Sequence, residues 1–197
     1  MSYYDIDAIL TDAEKIPCEF NVSVLNLGHL NNNPGEDLKA GTKLSLPLWL
    51  GEMLALASTS ASGSTNDDDT KSFVNLSLPD ALSSECIQAL KADPRAVQLR
   101  QRSINFYGLA TRLMDLFEER ELDSVLRKTF VTRAAEIALH ARKMGDPAGK
   151  EGASNIGIAA AQDEFTRGLD QWERDLFTKA HTGLKGGKEW MHNVKKH

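Results

Sequence analysis

The stretch Gly41–Ala57, GTKLSLPLWLGEMLALA, contains the change from extended to helical backbone on which the fold depends. Gly41–Leu46 is predicted as a strand. Pro47 fits the first turn of a helix, because the N–H that proline lacks has no partner there. We therefore predict a strand that ends near Leu46 and an apolar helix over Leu48–Ala57.

The sequence before this stretch predicts mixed structure. Apolar residues that follow Asp5 at helical spacing indicate a short first helix. Pro17–Val22 alternates with period 2 and is predicted as a strand, and Val24–Leu30 as a second strand. Asn31–Gly35 is typical of a turn, because Asn and Gly tolerate positive φ and Pro34 presets the corner.

The sequence after this stretch is predicted to be mostly helical. Two segments poor in large apolar residues, Ser58–Lys71 and Gly145–Gly152, are predicted as loops. One short strand is predicted at Phe73–Leu76. Helices are predicted from Asp80 to about Ala92, from Asp93-Pro94 to about Glu119, from Glu121 to about Met144, and from Asn155 to about Ala180, with Gly183, Gly186 and Gly187 ending the last one.

The predicted fold class is therefore mainly α, with a helical bundle preceded by a small β-rich part. The predicted bounds are 1–50 for the β-containing part, 51–72 for a helix end and flexible loop, and 73–197 for the helical part. With 197 residues the chain can bury a core without disulfides or metals.

Composition excludes several classes of protein. The net charge of -5 and pI near 5.6 disfavour autonomous DNA binding, which needs cationic surface. Two cysteines, Cys18 and Cys86, without a CxxC pair exclude a disulfide scaffold and a thiolate zinc site. The sequence has no secretory signal and no run of 18 apolar residues, so we expect no association with membranes.

Two segments carry more apolar surface than a surface helix needs. In the predicted helix after Asp93, one stripe at helical spacing lies beside a second, which indicates either a central bundle helix or contact with another chain. Their members are Ile104, Tyr107, Ala110, Met114 and Phe117, and Phe106, Leu109, Leu113 and Leu116. Phe165, Leu169, Trp172 and Leu176 form a short seam that could be intramolecular or intersubunit.

No catalytic motif is present in the sequence. Gly183–Glu189 departs from the phosphate-binding loop at two required positions, and the histidines lack zinc-binding spacing. We therefore predict no cofactor, no metal and no small-molecule substrate. An enzyme with a site built from distant residues would use Cys18, His29 and His140. The last thirteen residues carry four lysines and one glutamate, so direct single-strand binding by this segment is a further alternative.

Blocks spread along nearly the whole chain resemble the GINS complex family of eukaryotic DNA replication. The most specific block is Thr42–Leu50. The others are Tyr3–Asp7, Pro17–Phe20, Leu27–Leu30, Asn33–Gly35, Ala92–Pro94, Asn105–Leu109, Asp170–Phe177 and Trp190–Met191. The two predicted loops carry no part of the resemblance.

The resemblance implies a heterotetramer of four related subunits, each with a helical A domain and a small β-rich B domain. In the subunit type that this chain resembles, the B domain comes first. The implied partners are the three other GINS subunits, and the Mcm ring and a Cdc-type partner in the CMG replicative helicase. The implied role is that of a non-catalytic scaffold in the nucleus, which meets DNA only indirectly. A helical adaptor outside replication is the alternative.

Aromatic and leucine side chains are the predicted contact residues, because they can bury a large apolar area. The predicted subunit interface consists of Phe106, Tyr107, Leu113, Phe165, Leu169, Trp172, Leu176 and Phe177. Leu46, Pro47 and Trp49 are predicted to pack between the two domains, with Trp49 in the core. Tyr3 and Tyr4 either anchor the N-terminal segment on a partner or pack on the chain's own B domain.

Overall fold

A three-stranded antiparallel sheet organises the N-terminal part of the chain in the computed structural model, which describes residues 4–59, 71–117, 120–144 and 164–195. The central strand β1 (Lys15–Phe20) pairs with β2 (Lys43–Pro47), with Ile16 opposite Leu46. On its other side it pairs with the third strand, Val74–Leu76. Alternate residues of β1 are buried, as the period-2 pattern predicts.

Two helices belong to this part of the chain. The first, α1 (Ile6–Asp12), begins where the Asp5 carboxylate accepts a hydrogen bond from the Asp7 amide. The second, α2 (Leu48–Leu56), follows Pro47, so the predicted helix start is confirmed. A Cβ atom added at Gly51 would lie 3.0 Å from Ile16 Cδ1, which shows that α2 packs tightly on the sheet.

The predicted strand over Val24–Leu30 is wrong. Val24 forms a single bridge with Leu38, and the chain then turns through a 3-10 helix at Gly28–Asn31. The physical reason is the backbone of Asn26, which has φ of 59° in the left-handed region that a strand does not accommodate. The predicted turn at Asn31–Gly35 is confirmed.

Two short strands flank the segment that was predicted as the first loop. The strands β3 (Ser58–Thr59) and β4 (Lys71–Ser72) pair antiparallel and close the ends of this segment. Residues 60–70 lie outside the described residues. The next strand, β5 (Val74–Leu76), is the third strand of the main sheet and agrees with the prediction of a strand at Phe73–Leu76.

The chain divides into two compact units, Met1–Ser83 and Ser84–His197. The second unit is helical, with its largest buried side chains on several helices. They are Leu90, Leu99, Phe106, Leu109, Leu113, Leu122, Ile137 and Leu169. The mainly α fold class with a small β-containing part first is thus confirmed. Because β5 pairs with β1, residues 73–83 fold with the N-terminal unit, whereas the sequence prediction began the helical part at residue 73.

Several helices of the second unit begin later than predicted. They are α3 (Ser84–Ala92), α4 (Leu99–Arg102), α5 (Phe106–Leu116), α6 (Arg120–Met144) and α7 (Gln171–Val194). Asp80–Leu82 is a 3-10 turn, and extended Ser83 separates it from α3. The prediction for α6 is confirmed to within a residue.

The single helix predicted from Asp93 to Glu119 is wrong, because the segment is broken twice. The Asp93 carboxylate accepts the Arg95 amide in a turn that precedes α4. Extended Ser103 ends α4, and its hydroxyl accepts a hydrogen bond from the Asn105 amide. Such local side-chain bonds offer the backbone an alternative to the helix, which explains the breaks.

The last predicted helix is also wrong at both ends. Residues 155–163 lie outside the described residues, and after one helical turn over 164–167 the chain leaves the helix until α7 begins at Gln171. The helix α7 then continues through Gly183, Gly186 and Gly187 to Val194. Glycine weakens a helix by about 1 kcal/mol per residue but does not forbid it.

Candidate interaction surfaces

A buried ion pair joins α6 to α7 in the helical unit. Arg133 Nε lies 2.6 Å from Glu173 Oε1, and Arg133 Nη2 lies 2.9 Å from Glu173 Oε2, so the contact is bidentate. Arg133 Nη1 donates to the carbonyl oxygens of Pro94 and Val97, each at 2.8 Å. Burial lowers the pKa of Arg133, but the hydrogen bonds and charge of Glu173 outweigh it and hold the pKa above its ordinary value.

Asp170 connects the start of α7 to the start of α5. Its carboxylate accepts hydrogen bonds from the Trp172 amide at 3.1 Å and from the Phe106 amide at 2.7 Å. The Glu173 carboxylate accepts the Asp170 amide in return, which completes a capping box. Burial raises the pKa of Asp170 to about 6, against the amide hydrogen bonds that lower it.

Tyr107 lies at the centre of an aromatic cluster that contacts this polar network. Its ring meets Phe106 and Phe130 edge-on, at centroid distances of 5.6 and 5.2 Å, and stacks on Trp172 at 6.2 Å. Its hydroxyl donates to Glu173 Oε1 at 3.2 Å. Burial first, and then the charge of Glu173, raise the pKa of Tyr107 well above its usual range. The hydroxyl is therefore a fixed hydrogen-bond donor.

Sequence reasoning missed this network. One part had a readable signal, since Asp170-Gln-Trp-Glu173 has the spacing of a capping box. The pairing of Arg133 with Glu173 spans forty positions in sequence and has no local signal.

The predicted interface residues are divided between interior and surface. Phe106, Tyr107, Leu113 and Leu169 are buried within the helical unit itself. Phe165, Leu176 and Phe177 are half-buried, and Trp172 is 43% exposed. The four buried side chains therefore belong to the core of the helical unit. The other four are at least partly exposed, so a partner can contact them.

The structure treats the double stripe around α5 and the seam from Phe165 to Leu176 differently. Most of the doubled stripe around α5 is buried or half-buried in the chain's own unit, although Ile104 is exposed. The continuous seam from Phe165 to Leu176 is wrong, because the chain leaves the helix between them, at residues 168–170.

The residues predicted for domain packing and anchoring lie in the N-terminal unit. Leu46 is buried and Pro47 half-buried, but Trp49 is 52% exposed rather than in the core. It shares one face of α2 with Met53 and Leu56, which are also exposed. Tyr3 lies outside the described residues, and Tyr4 is mostly exposed.

Two helices of the C-terminal unit expose apolar side chains. On α6, Val131 and Leu139 are exposed on the face that also carries Ala135 and Ala138. On α7, four large apolar side chains after residue 183 are exposed, namely Leu184, Trp190, Met191 and Val194. Large contiguous apolar patches on a protein surface mark contact sites for other molecules, whereas single exposed apolar side chains are normal.

The residues named for a distant enzyme site are divided between the two units. Cys18 and His29 belong to the N-terminal unit, and His140 lies on α6 of the other unit. Burial raises the pKa of the Cys18 thiol, although a Leu46 backbone hydrogen bond opposes it. Burial also raises the pKa of Cys86, against the charge of Arg102. Both shifts are opposite to those of an activated thiolate.

A cavity of about 360 Å³ lies beside Arg133 in the helical unit. Gln98, Glu136, His140 and Glu164 contribute to its walls, and the His140 ring stacks on Phe165 at 4.0 Å. Across residues 4–59, 71–117, 120–144 and 164–195, no group of three or more His, Cys, Asp or Glu side chains is arranged to hold a metal ion. Within the same ranges, no helix has the length and apolar character needed to cross a bilayer.

Comparison with known protein families matches both units. A family model described as the PSF3 N-terminal domain matches residues 4–56. A second, described as the GINS complex protein helical bundle domain, matches residues 81–192.

Curated relatives align along nearly their whole lengths. "DNA replication complex GINS protein psf3" of Neurospora crassa is 55% identical, with all of both chains covered. The protein of the same name from Aspergillus fumigatus is 47% identical over 100% of this chain and 99% of its own. The Saccharomyces cerevisiae protein is 37% identical over 97% and 98%. The chain therefore belongs to the Psf3 family of GINS proteins.

Proposed function

We propose that the chain is a non-catalytic scaffold subunit of a heterotetrameric GINS complex in the nucleus. In this proposal the complex joins the Mcm ring and a Cdc-type partner in the CMG replicative helicase. The chain is then needed for the initiation and elongation of chromosomal DNA replication. ATP hydrolysis and strand separation belong to the Mcm ring, and this subunit holds its partners in place.

The observation that carries the proposal is the exposed apolar surface on two helices of the helical unit. Val131 and Leu139 on α6, and Trp190 and Met191 on α7, leave large apolar side chains in water when the chain is alone. Burying such area against other chains is favourable by roughly 25 cal/mol per Å². A subunit held between several partners needs helices of this kind.

The accessible members of the predicted interface support the same proposal. Trp172 is partly exposed yet stacked on Tyr107, which is itself fixed by Glu173. An aromatic side chain held in place from below is a good anchor, because little conformational freedom is lost on binding. The roles predicted for Leu46, Pro47 and Trp49 in domain packing, and for Tyr3 and Tyr4 as an anchor, stay predictions.

The test is co-expression of the full chain with the other three GINS subunits of its source organism. We expect native mass spectrometry to give a 1:1:1:1 particle, and the chain made alone to self-associate or precipitate. A well-behaved monomer that does not bind the three subunits would contradict the proposal. It would leave a helical adaptor outside replication as the alternative.

A further inference from the structure

The C-terminal half of α7 is exposed on all sides. Every residue from 182 to 194 is exposed, including Trp190 at 66%, Met191 at 52% and Val194 at 54%. A helix stabilised by tertiary packing normally buries one face, and isolated helical segments of this length are marginal in water. Among the residues that the structure describes, this half of α7 therefore lacks the cover that a helix of its composition needs.

The apolar residues of this half lie on one face. At about 100° per residue, Leu184, Trp190, Met191 and Val194 fall within an arc of about 120°. Gly183 and Gly187 fall in the same arc, and a Cβ atom at either would meet no atom of residues 4–59, 71–117, 120–144 or 164–195 within 4 Å. We call these six residues the distal apolar face. Its two glycines leave room for the backbone of a second helix to approach closely.

The charged residues beside the distal apolar face are cationic. The same helical geometry puts Lys188 and Lys195 at one edge of the face and Lys179 at the other. Glu189 lies on the opposite side of the helix, and Asp175 lies beyond Lys179, about 120° from the centre of the face. A partner that covers the face would therefore meet positive charge on both sides, which favours acidic side chains on that partner.

We propose that the distal apolar face binds a helix of another GINS subunit that flanks its apolar residues with Asp or Glu. The inference rests on the proposed function and names the surface and the chemistry of its occupant. The match to the GINS helical bundle domain continues to residue 192, so this half of α7 belongs to the bundle domain. The packing of the described residues leaves it uncovered, and a helix from another chain completes the bundle.

The first test compares two substitutions of equal charge on the assembled complex. Met191→Glu places a carboxylate in the distal apolar face, and Asn193→Glu places one on the far side of the same helical turn. We expect Met191→Glu to weaken binding to the other three subunits at least about tenfold, and Asn193→Glu to leave it within about twofold. Both residues are exposed, so circular dichroism should show that both variants fold.

The second test uses glycine substitutions, for which helix stability and binding move in opposite directions. Gly187→Ala and Gly186→Ala both favour the helix in the free chain, because both sites are open. Only Gly187 lies in the distal apolar face. We expect Gly187→Ala to weaken assembly about fivefold or more, since the added methyl group separates the two helices. Gly186→Ala should assemble like the unaltered chain.

The third test addresses charge. Lys195→Glu at the edge of the face should weaken assembly and reduce its dependence on salt, whereas Lys185→Glu, behind the face, should change neither. Hydrogen exchange should show protection of residues 182–194 in the complex but not in the free chain.

The outcomes separate this inference from the proposed function. If the unaltered chain assembles and the paired variants behave alike, the inference is overturned while the proposed function stands. A homodimer of the free chain that Met191→Glu dissociates would identify a second copy as the occupant and overturn it as well. If the unaltered chain does not assemble at all, both fail.

Discussion

At the scale of single residues, the stability of the helical unit depends on the ion pair between Arg133 and Glu173. Glu173→Gln would leave the Arg133 guanidinium buried without a counter-charge, and removing one member of a buried pair costs about 3–5 kcal/mol. We expect a loss of this size in the free energy of unfolding, measured with urea. Asp175→Asn, on the exposed side of the same helix, should change it by less than about 0.5 kcal/mol. Equal losses in the two variants would contradict the assignment.

Asp170 makes stability depend on pH. The folded chain raises its pKa from 3.8 to about 6, so the folded state binds a proton more tightly than the unfolded state. The resulting stabilisation is complete below about pH 4 and is lost as the pH rises through about 6. Across this window, the free energy of unfolding of the unaltered chain should fall by about 3 kcal/mol relative to that of the Asp170→Asn variant. Urea unfolding of both proteins between pH 4 and 7 checks this, and a constant difference would refute it.

At the scale of structural elements, the turn at Gly28–Asn31 depends on glycine at its first position. A Cβ atom at Gly28 would lie 2.5 Å from the backbone oxygens of both Asn33 and Glu36. Neither oxygen belongs to a side chain that can move aside. Gly28→Ala should therefore destabilise the N-terminal unit by about 1–3 kcal/mol. Hydrogen exchange of β1 and β2 measures this, with His29→Ala as the exposed control expected to show no change.

Local patterns predicted some elements well and others poorly. Pro47 marked the start of α2 correctly, and Asp5 marked that of α1, because caps act within one turn. The break at Ser103–Asn105 has no Gly or Pro to mark it, and one apolar stripe begins within it at Ile104, so the local pattern does not predict it. The glycines of α7 predict the end of a helix, yet the helix passes through them.

At the scale of the whole molecule, net charge governs contact with DNA. The chain carries -5 overall, although residues 185–197 carry +3 from four lysines and one glutamate. We expect no binding of the full chain to single-stranded DNA below about 10 μM at physiological salt. Fluorescence anisotropy tests this, and Lys→Gln at positions 185, 188, 195 and 196 should change nothing. Salt-dependent binding that these substitutions abolish would instead support direct contact by the C-terminal segment.

The sequence by itself determined the family, the order of a small β-containing part before a helical one, and most strand and helix types. These follow from short-range rules of alternation, capping and turn chemistry, and from blocks that resemble relatives. Only the tertiary structure decided which apolar side chains are interior. In the folded chain Tyr107 and Leu169 are buried, Trp49 and Trp190 are exposed, and Arg133 is paired with Glu173. The physical reason is that burial and ion pairing depend on residues far apart in sequence, which only the packing of the helices brings together.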